Sequence, residues 1–128
     1  MKEVITIEEF LERIKKYYNE EIYIELEGDI RGEIKTKLNE VKIYRNVIQI
    51  IYDRSKRNFF GEKLEINIYK IEKIESDEDT EFYIYLKGGQ KIIVFTDTDV
   101  WENYVISNFI NCTKYAQNDT TVIIHIYK

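Results

Sequence analysis

The chain has 128 residues, 44% hydrophobic and 34% charged, a balance that supports one hydrophobic core and excludes an intrinsically disordered chain. Its net charge of −5 argues against general binding to double-stranded nucleic acid, whose affinity comes largely from cations that neutralise phosphate. A lone cysteine, Cys112, excludes an internal disulfide and a cysteine metal cluster within one chain, and no run approaches the roughly 18–20 apolar residues of a membrane span.

Met1-Lys2-Glu3-Val4 shows no secretory apolar run and is expected to open directly into a charged helix, so the predicted location is the cytoplasm. Eleven tyrosines and abundant isoleucine, against Ala116 as the single alanine, favour sheet over helix. An AT-rich coding bias accounts for part of that preference.

Thr6 and Glu9 form a capping box, in which each side chain satisfies the other's free backbone N–H. Ile7, Phe10, Leu11, Ile14 and Tyr18 then recur on one face, with Glu9/Arg13 and Glu12/Lys16 as i,i+4 pairs; the spacing predicts a helix over 7–18. After Asn19 the period becomes two, and Ile22, Ile24 and Leu26 alternate with polar or tyrosine positions as in a strand with one dry face. Gly28-Asp29 turns the chain into a returning strand from Ile30 to Thr36. One strand or a pair follows between Val41 and Asp53, with Arg45-Asn46 as a break or a bulge.

The stretch 54–63 reads as a loop. Strand character resumes at Leu64, Ile66 and Ile68, shifts phase at Ile71 and Ile74, and ends in the acidic turn Asp77 to Thr80. Phe82, Ile84 and Leu86 alternate with Glu81, Tyr83 and Tyr85 before Gly88-Gly89, a two-residue hairpin signal. Ile92 to Phe95 is apolar on both faces, as expected of a central strand. Asp97 or Asp99 caps a second helix carrying Trp101, Tyr104, Val105 and Phe109, broadened by Ile106 and Ile110. A polar stretch from Asn111 to Thr120 leads to a last strand through Val122, Ile124 and Ile126.

The expected fold is therefore a single α+β domain over 1–128. It is a strongly bent antiparallel sheet or a partly open β-barrel, with an N-terminal helix and a second helix before a last strand. In element order it resembles Sm-like and SH3-like barrels, where a helix leads into bent strands, and pleckstrin-homology-like domains, where a run of strands ends in a helix. These are likenesses of order, unaccompanied by a family motif, and they imply no function.

No phosphate-binding glycine loop, dinucleotide fingerprint or His-Glu-x-x-His helix is present. His125 lies between Ile124 and Ile126 with no carboxylate beside it, and reads as a structural histidine before a general base. Cys112 follows the apolar end of the second helix, where the helix dipole disfavours a thiolate, and reads as packing. The oxygens at 77, 79 and 81 superficially match the start of a calcium loop. Phe82 and Gly88 stand where the loop glycine and the bidentate glutamate belong, so a solvated turn is expected and no metal or cofactor is assigned.

Two features point to binding. Arg54, Lys56, Arg57 and Lys63 oppose Glu62 alone and flank Phe59-Phe60, a basic and aromatic segment in an acidic chain. Such a segment suits a protein hot spot, or stacking and phosphate contact with a single strand; if a phenylalanine instead anchors the loop on the core, the cations are merely solvated. Tyr23, Tyr83, Tyr85 and Tyr69 alternate opposite the aliphatic positions, as an open aromatic platform or as a surface that the second helix covers.

The leading expectation is a non-catalytic protein-interaction module, of the size and charge that suit a phage or mobile-element inhibitor. Single-stranded nucleic-acid binding is the alternative, followed by an enzyme using His125. Self-association through a strand edge is a further possibility.

Overall fold

The computed structural model describes residues 1–53, 62–97, 100–104 and 106. Its backbone groups into two units, Met1–Thr96 and Asp97–Lys128. In the first unit the order is β1 (Lys2–Ile5), α1 (Ile7–Ile14), β2 (Glu21–Glu27), β3 (Gly32–Tyr44), β4 (Val47–Tyr52), β5 (Glu62–Asn67), β6 (Ile71–Asp77), β7 (Glu81–Leu86) and β8 (Lys91–Phe95). The eight strands form one antiparallel sheet in the order β1-β6-β7-β8-β2-β3-β4-β5. The sheet does not close: among the described residues it ends on β1 and β5. No described helix is long and apolar enough to cross a membrane.

The N-terminus departs from expectation. Lys2–Ile5 is a strand that pairs with β6, from Lys2↔Asp77 to Ile5↔Ile74, before the helix begins. Local sequence carries little sign of this, because one buried residue in four leaves no clear alternation. The capping box forms as read, with Thr6 Oγ1 accepting from Glu9 N at 3.0 Å and Glu9 Oε1 accepting from Thr6 N at 3.1 Å.

The α-helix is shorter than its periodicity predicts. It stops at Ile14, and Lys15–Tyr17 tighten into a 3₁₀ turn. Tyr18 leaves the helix with ψ 135°, and its hydroxyl reaches the backbone of β3, where it accepts from Val41 N at 2.9 Å and donates to Val41 O at 3.0 Å. Tertiary hydrogen bonds thus outweigh another turn of helix. Glu12 pairs with Lys15 at 3.0 Å, and Lys16 turns away to Asp79.

β3 is one strand of 13 residues where two were expected. Its first half pairs with β2 and its second half with β4, and the register shifts between Leu38 and Glu40. A bulge adds an unpaired residue, bends the strand and lets it change partners. Where β2 has not yet begun, Asn19 N and Glu20 O bond Leu38, and Tyr18 takes both polar groups of Val41. Arg45-Asn46 is a true two-residue turn, since Tyr44 pairs with Val47, and Arg45 takes φ 57°. A second register shift between Ile71 and Lys73 explains the phase change read in β6.

One face of the sheet carries the aliphatic core, where α1 packs through Phe10 and Ile14 against Ile22, Ile24, Phe82, Ile84, Ile92 and Val94. Phe10 meets Phe82 edge-on, with ring centroids 5.4 Å apart. β8 lies mid-sheet between β7 and β2, as its doubly apolar sequence implies. The β7–β8 loop is one residue longer than the glycine pair suggested: Leu86 N donates to Gln90 O at 2.8 Å around Lys87, Gly88 and Gly89.

In the second unit the residues 100–104 and 106 are helical. Asp97 caps them, its Oδ1 accepting from Val100 N at 3.4 Å and its carbonyl from Trp101 N at 3.1 Å. The expected last strand, along with Val105, Phe109 and Ile110, lies outside the described residues.

Candidate functional site

The densest polar chemistry lies between α1 and the β6–β7 turn. Glu78 and Asp79 both take positive φ, 53° and 58°, and Thr80 N closes the turn on Asp77 O at 3.0 Å. That backbone points the Asp79 side chain back at Ser76, whose Oγ donates to Asp79 Oδ1 at 2.6 Å and accepts from Asp79 N at 3.0 Å. Arg13 donates to the same Oδ1 at 3.2 Å, and the Lys16 ammonium lies 3.5 Å from Oδ2. Arg13 also binds Glu3 and Glu9, and the Tyr17 hydroxyl donates to Asp79 O.

Burial by itself would raise the Asp79 carboxyl, but the Ser76 hydroxyl, Arg13 and Lys16 outweigh it and hold it below the ordinary carboxylate range. Glu9 is likewise held low, first by the Thr6 backbone N–H and then by the Thr6 hydroxyl and Arg13. Asp77 faces the N-terminal ammonium at 3.0 Å, and Glu81 accepts from the Tyr83 hydroxyl. Asp77, Asp79 and Glu81 therefore serve separate protein partners. Among the described residues no group of three or more His, Cys, Asp or Glu is arranged to hold a metal ion. The network is a clamp that ties α1 to the sheet.

The residues singled out from sequence are placed only in part. Lys63 stands in β5 opposite Ile51, with its ammonium 3.9 Å from Glu65. Arg54, Lys56, Arg57, Phe59 and Phe60 lie outside the described residues, as do His125 and Cys112. Tyr52 and Glu62 pair at one end of the β4–β5 ladder.

The tyrosine set divides. Tyr23 and Tyr83 are buried beside Ile93 and Phe95 on the sheet face opposite the aliphatic core, so they form no open platform. Lys2 lies 3.9 Å from the Tyr83 ring centroid, and Lys73 and Lys91 flank Tyr85 at 4.8 and 6.0 Å. Burial and the neighbouring Glu81 raise the Tyr83 hydroxyl far above its ordinary range, and burial with Glu75 pushes Tyr85 up to about 12. Tyr69 belongs elsewhere, in the 3₁₀ turn Ile68–Lys70.

Sequence reading missed the other end of the β4–β5 ladder. There three turns are joined by hydrogen bonds: Ile68 N donates to Asn46 O at 2.9 Å, the Tyr69 hydroxyl reaches Asn46 Oδ1 at 3.4 Å, and Lys87 N donates to Lys70 O at 2.8 Å. On this tied base Tyr69 is 67% exposed, Tyr44 52% and Ile43 43%. Arg45 stacks over Tyr44, with its guanidinium carbon 5.3 Å from the ring centroid. The residues come from positions 43–46, 68–70 and 87, so no sequence window shows the cluster. Its only local sign was Tyr-Arg-Asn between two apolar runs.

No family model, curated protein or solved structure matches this chain. The surface must speak for itself. A solvent-facing pair of tyrosines beside a stacked arginine, on a hydrogen-bonded base, can make apolar, stacking and charge-assisted contacts with a macromolecule.

Proposed function

We propose that this protein is a non-catalytic protein-interaction module whose contact surface is the cluster of three linked turns around Tyr44, Arg45 and Tyr69. The observation that carries the reading is the exposure of Tyr44 and Tyr69 beside Arg45 on a base tied by backbone hydrogen bonds. Tyrosine and arginine are, with tryptophan, the side chains most enriched at binding hot spots, and a rigid base reduces the entropy lost on docking. On sequence grounds the basic-aromatic segment of Arg54, Lys56, Arg57, Phe59, Phe60 and Lys63 is a second contact in the same proposal. A cytoplasmic location belongs to it too, supported by the single cysteine. The bent, partly open barrel is also part of the proposal, supported by the bulge at which β3 changes partners.

The test is affinity purification from the native host, with the bound protein identified and its affinity then measured for the purified pair. Replacing Tyr44 and Tyr69 with alanine should weaken that complex about tenfold or more, with the melting temperature unchanged. A partner held equally well by the double variant would remove the surface from the reading. Recovery of nucleic acid in place of protein would overturn it.

A further inference from the structure

Arg45, Lys70 and Lys87 stand apart from most cations of the sheet. Lys35, Lys42, Lys63, Lys73 and Lys91 each have a carboxylate within 3.9 Å. Among the described residues Arg45, Lys70 and Lys87 have no carboxylate within 4.0 Å, and all three are exposed. The turn contacts Asn46–Ile68, Asn46–Tyr69 and Lys70–Lys87 link their three turns, in a chain whose net charge is −5. Glu72, in the strand that follows Lys70, is the nearest acidic residue in sequence.

From this we infer that the site takes a short acidic segment of the partner protein, one that presents carboxylates together with apolar side chains. The inference rests on the protein-interaction reading and adds the chemistry of what docks. Arg45 lies over the Tyr44 ring with no carboxylate within 4.0 Å among the described residues, so its guanidinium fork can hold a carboxylate through paired N–H bonds, while Lys70 and Lys87 supply point charges. Tyr44 and Tyr69 supply the apolar contact. A single strand of nucleic acid fits less well. Three cations neutralise at most three phosphates, a salt slope of only about −2, and the remaining net charge repels a polyanion.

The experiment uses the intact chain, labelled with nitrogen-15, and three probes. These are a short peptide alternating glutamate and phenylalanine, the same peptide with glutamine for glutamate, and a thymidine oligonucleotide. The acidic peptide should shift the amides of residues 44–46, 68–70 and 87, and raising the salt should weaken it; the glutamine peptide should bind about tenfold more weakly or worse. Arg45→Glu with Lys70→Glu should abolish the shifts, whereas Arg31→Glu with Lys37→Glu, which removes two exposed cations elsewhere, should leave them.

Equal binding of the acidic and glutamine peptides at these amides would overturn the acidic segment and leave the interaction surface standing. Tighter binding of the oligonucleotide at these amides would overturn it in favour of nucleic acid. Absence of any shift with all three probes would also overturn it. If Tyr44→Ala with Tyr69→Ala then left the native partner bound, the interaction reading would fall separately.

Discussion

Glu78 and Asp79 occupy the left-handed region at the centre of the β6–β7 turn, a conformation that costs a side-chain-bearing residue on the order of 1–2 kcal/mol. Asp79 offsets that cost, because the same backbone delivers its carboxylate to Ser76, Arg13 and Lys16. Glu78 has no such return; its carboxylate is exposed and 3.8 Å from the N-terminal ammonium. Glu78→Gly is therefore expected to raise unfolding stability by about 0.5–1 kcal/mol in a urea titration. Asp79→Gly should lower it at a nearly identical φ. If both glycines stabilised the protein, the Asp79 clamp would have no energetic weight. The acidic turn was visible in sequence as a run of carboxylates, but its cationic partners lie 66 and 63 residues earlier and could not be paired with it by spacing.

At the scale of elements, the junction between α1 and β3 shows how a helix is cut short. Val41 pairs with Ile50 on one side and points its N–H and C=O towards a place where β2 is absent, and one tyrosine hydroxyl fills both needs. A buried backbone group without a partner is costly, so the chain gives up a helical turn to supply one. Tyr18→Phe should thus cost about 1–3 kcal/mol, more than its reading as one member of the helix's apolar stripe allows. Urea unfolding measures it, and a change within about 0.5 kcal/mol would show that water serves Val41 as well. Hydrogen exchange at the Val41 amide should quicken in the same variant, which distinguishes loss of this contact from general loosening.

At the largest scale, the perturbed groups among the described residues bracket a pH range in which their stabilisation is complete. Glu9 and Asp79 titrate below their ordinary values of 4.5 and 3.8, so their contribution is present above those values and disappears as pH falls through the lower folded ones. Tyr52, Tyr83 and Tyr85 are shifted the other way, chiefly by burial, from an ordinary value of 10.0. Their contribution is complete below that value and is lost as pH climbs through the raised ones, about 12 for Tyr85. Melting temperature should therefore fall below about pH 4 and again above about pH 10, with a plateau between. Tyr83→Phe should flatten the alkaline fall; an unchanged slope would assign it to other groups.

Elements with a local cause were legible in the order of residues alone. The capping box, the amphipathic stripe through Phe10 and Ile14, the alternation in β2 and β7, the doubly apolar β8 and the turns at Gly28, Asp77–Thr80 and Gly88-Gly89 all arise from residues within a few positions of each other. An antiparallel sheet with a helix on one face follows from those periods. Three features emerge only in the folded chain: Lys2–Ile5 is a strand, β3 is continuous and changes partners at a bulge, and the α-helix ends at Ile14. Each of these depends on a backbone hydrogen-bond partner distant in sequence, which periodicity does not encode. The exposed cluster of Tyr44, Arg45, Tyr69, Lys70 and Lys87 belongs to the same class. Its members come from three turns with no shared period, and it is the hydrogen bonds of the 68–70 turn to Asn46 and to Lys87 that join those turns.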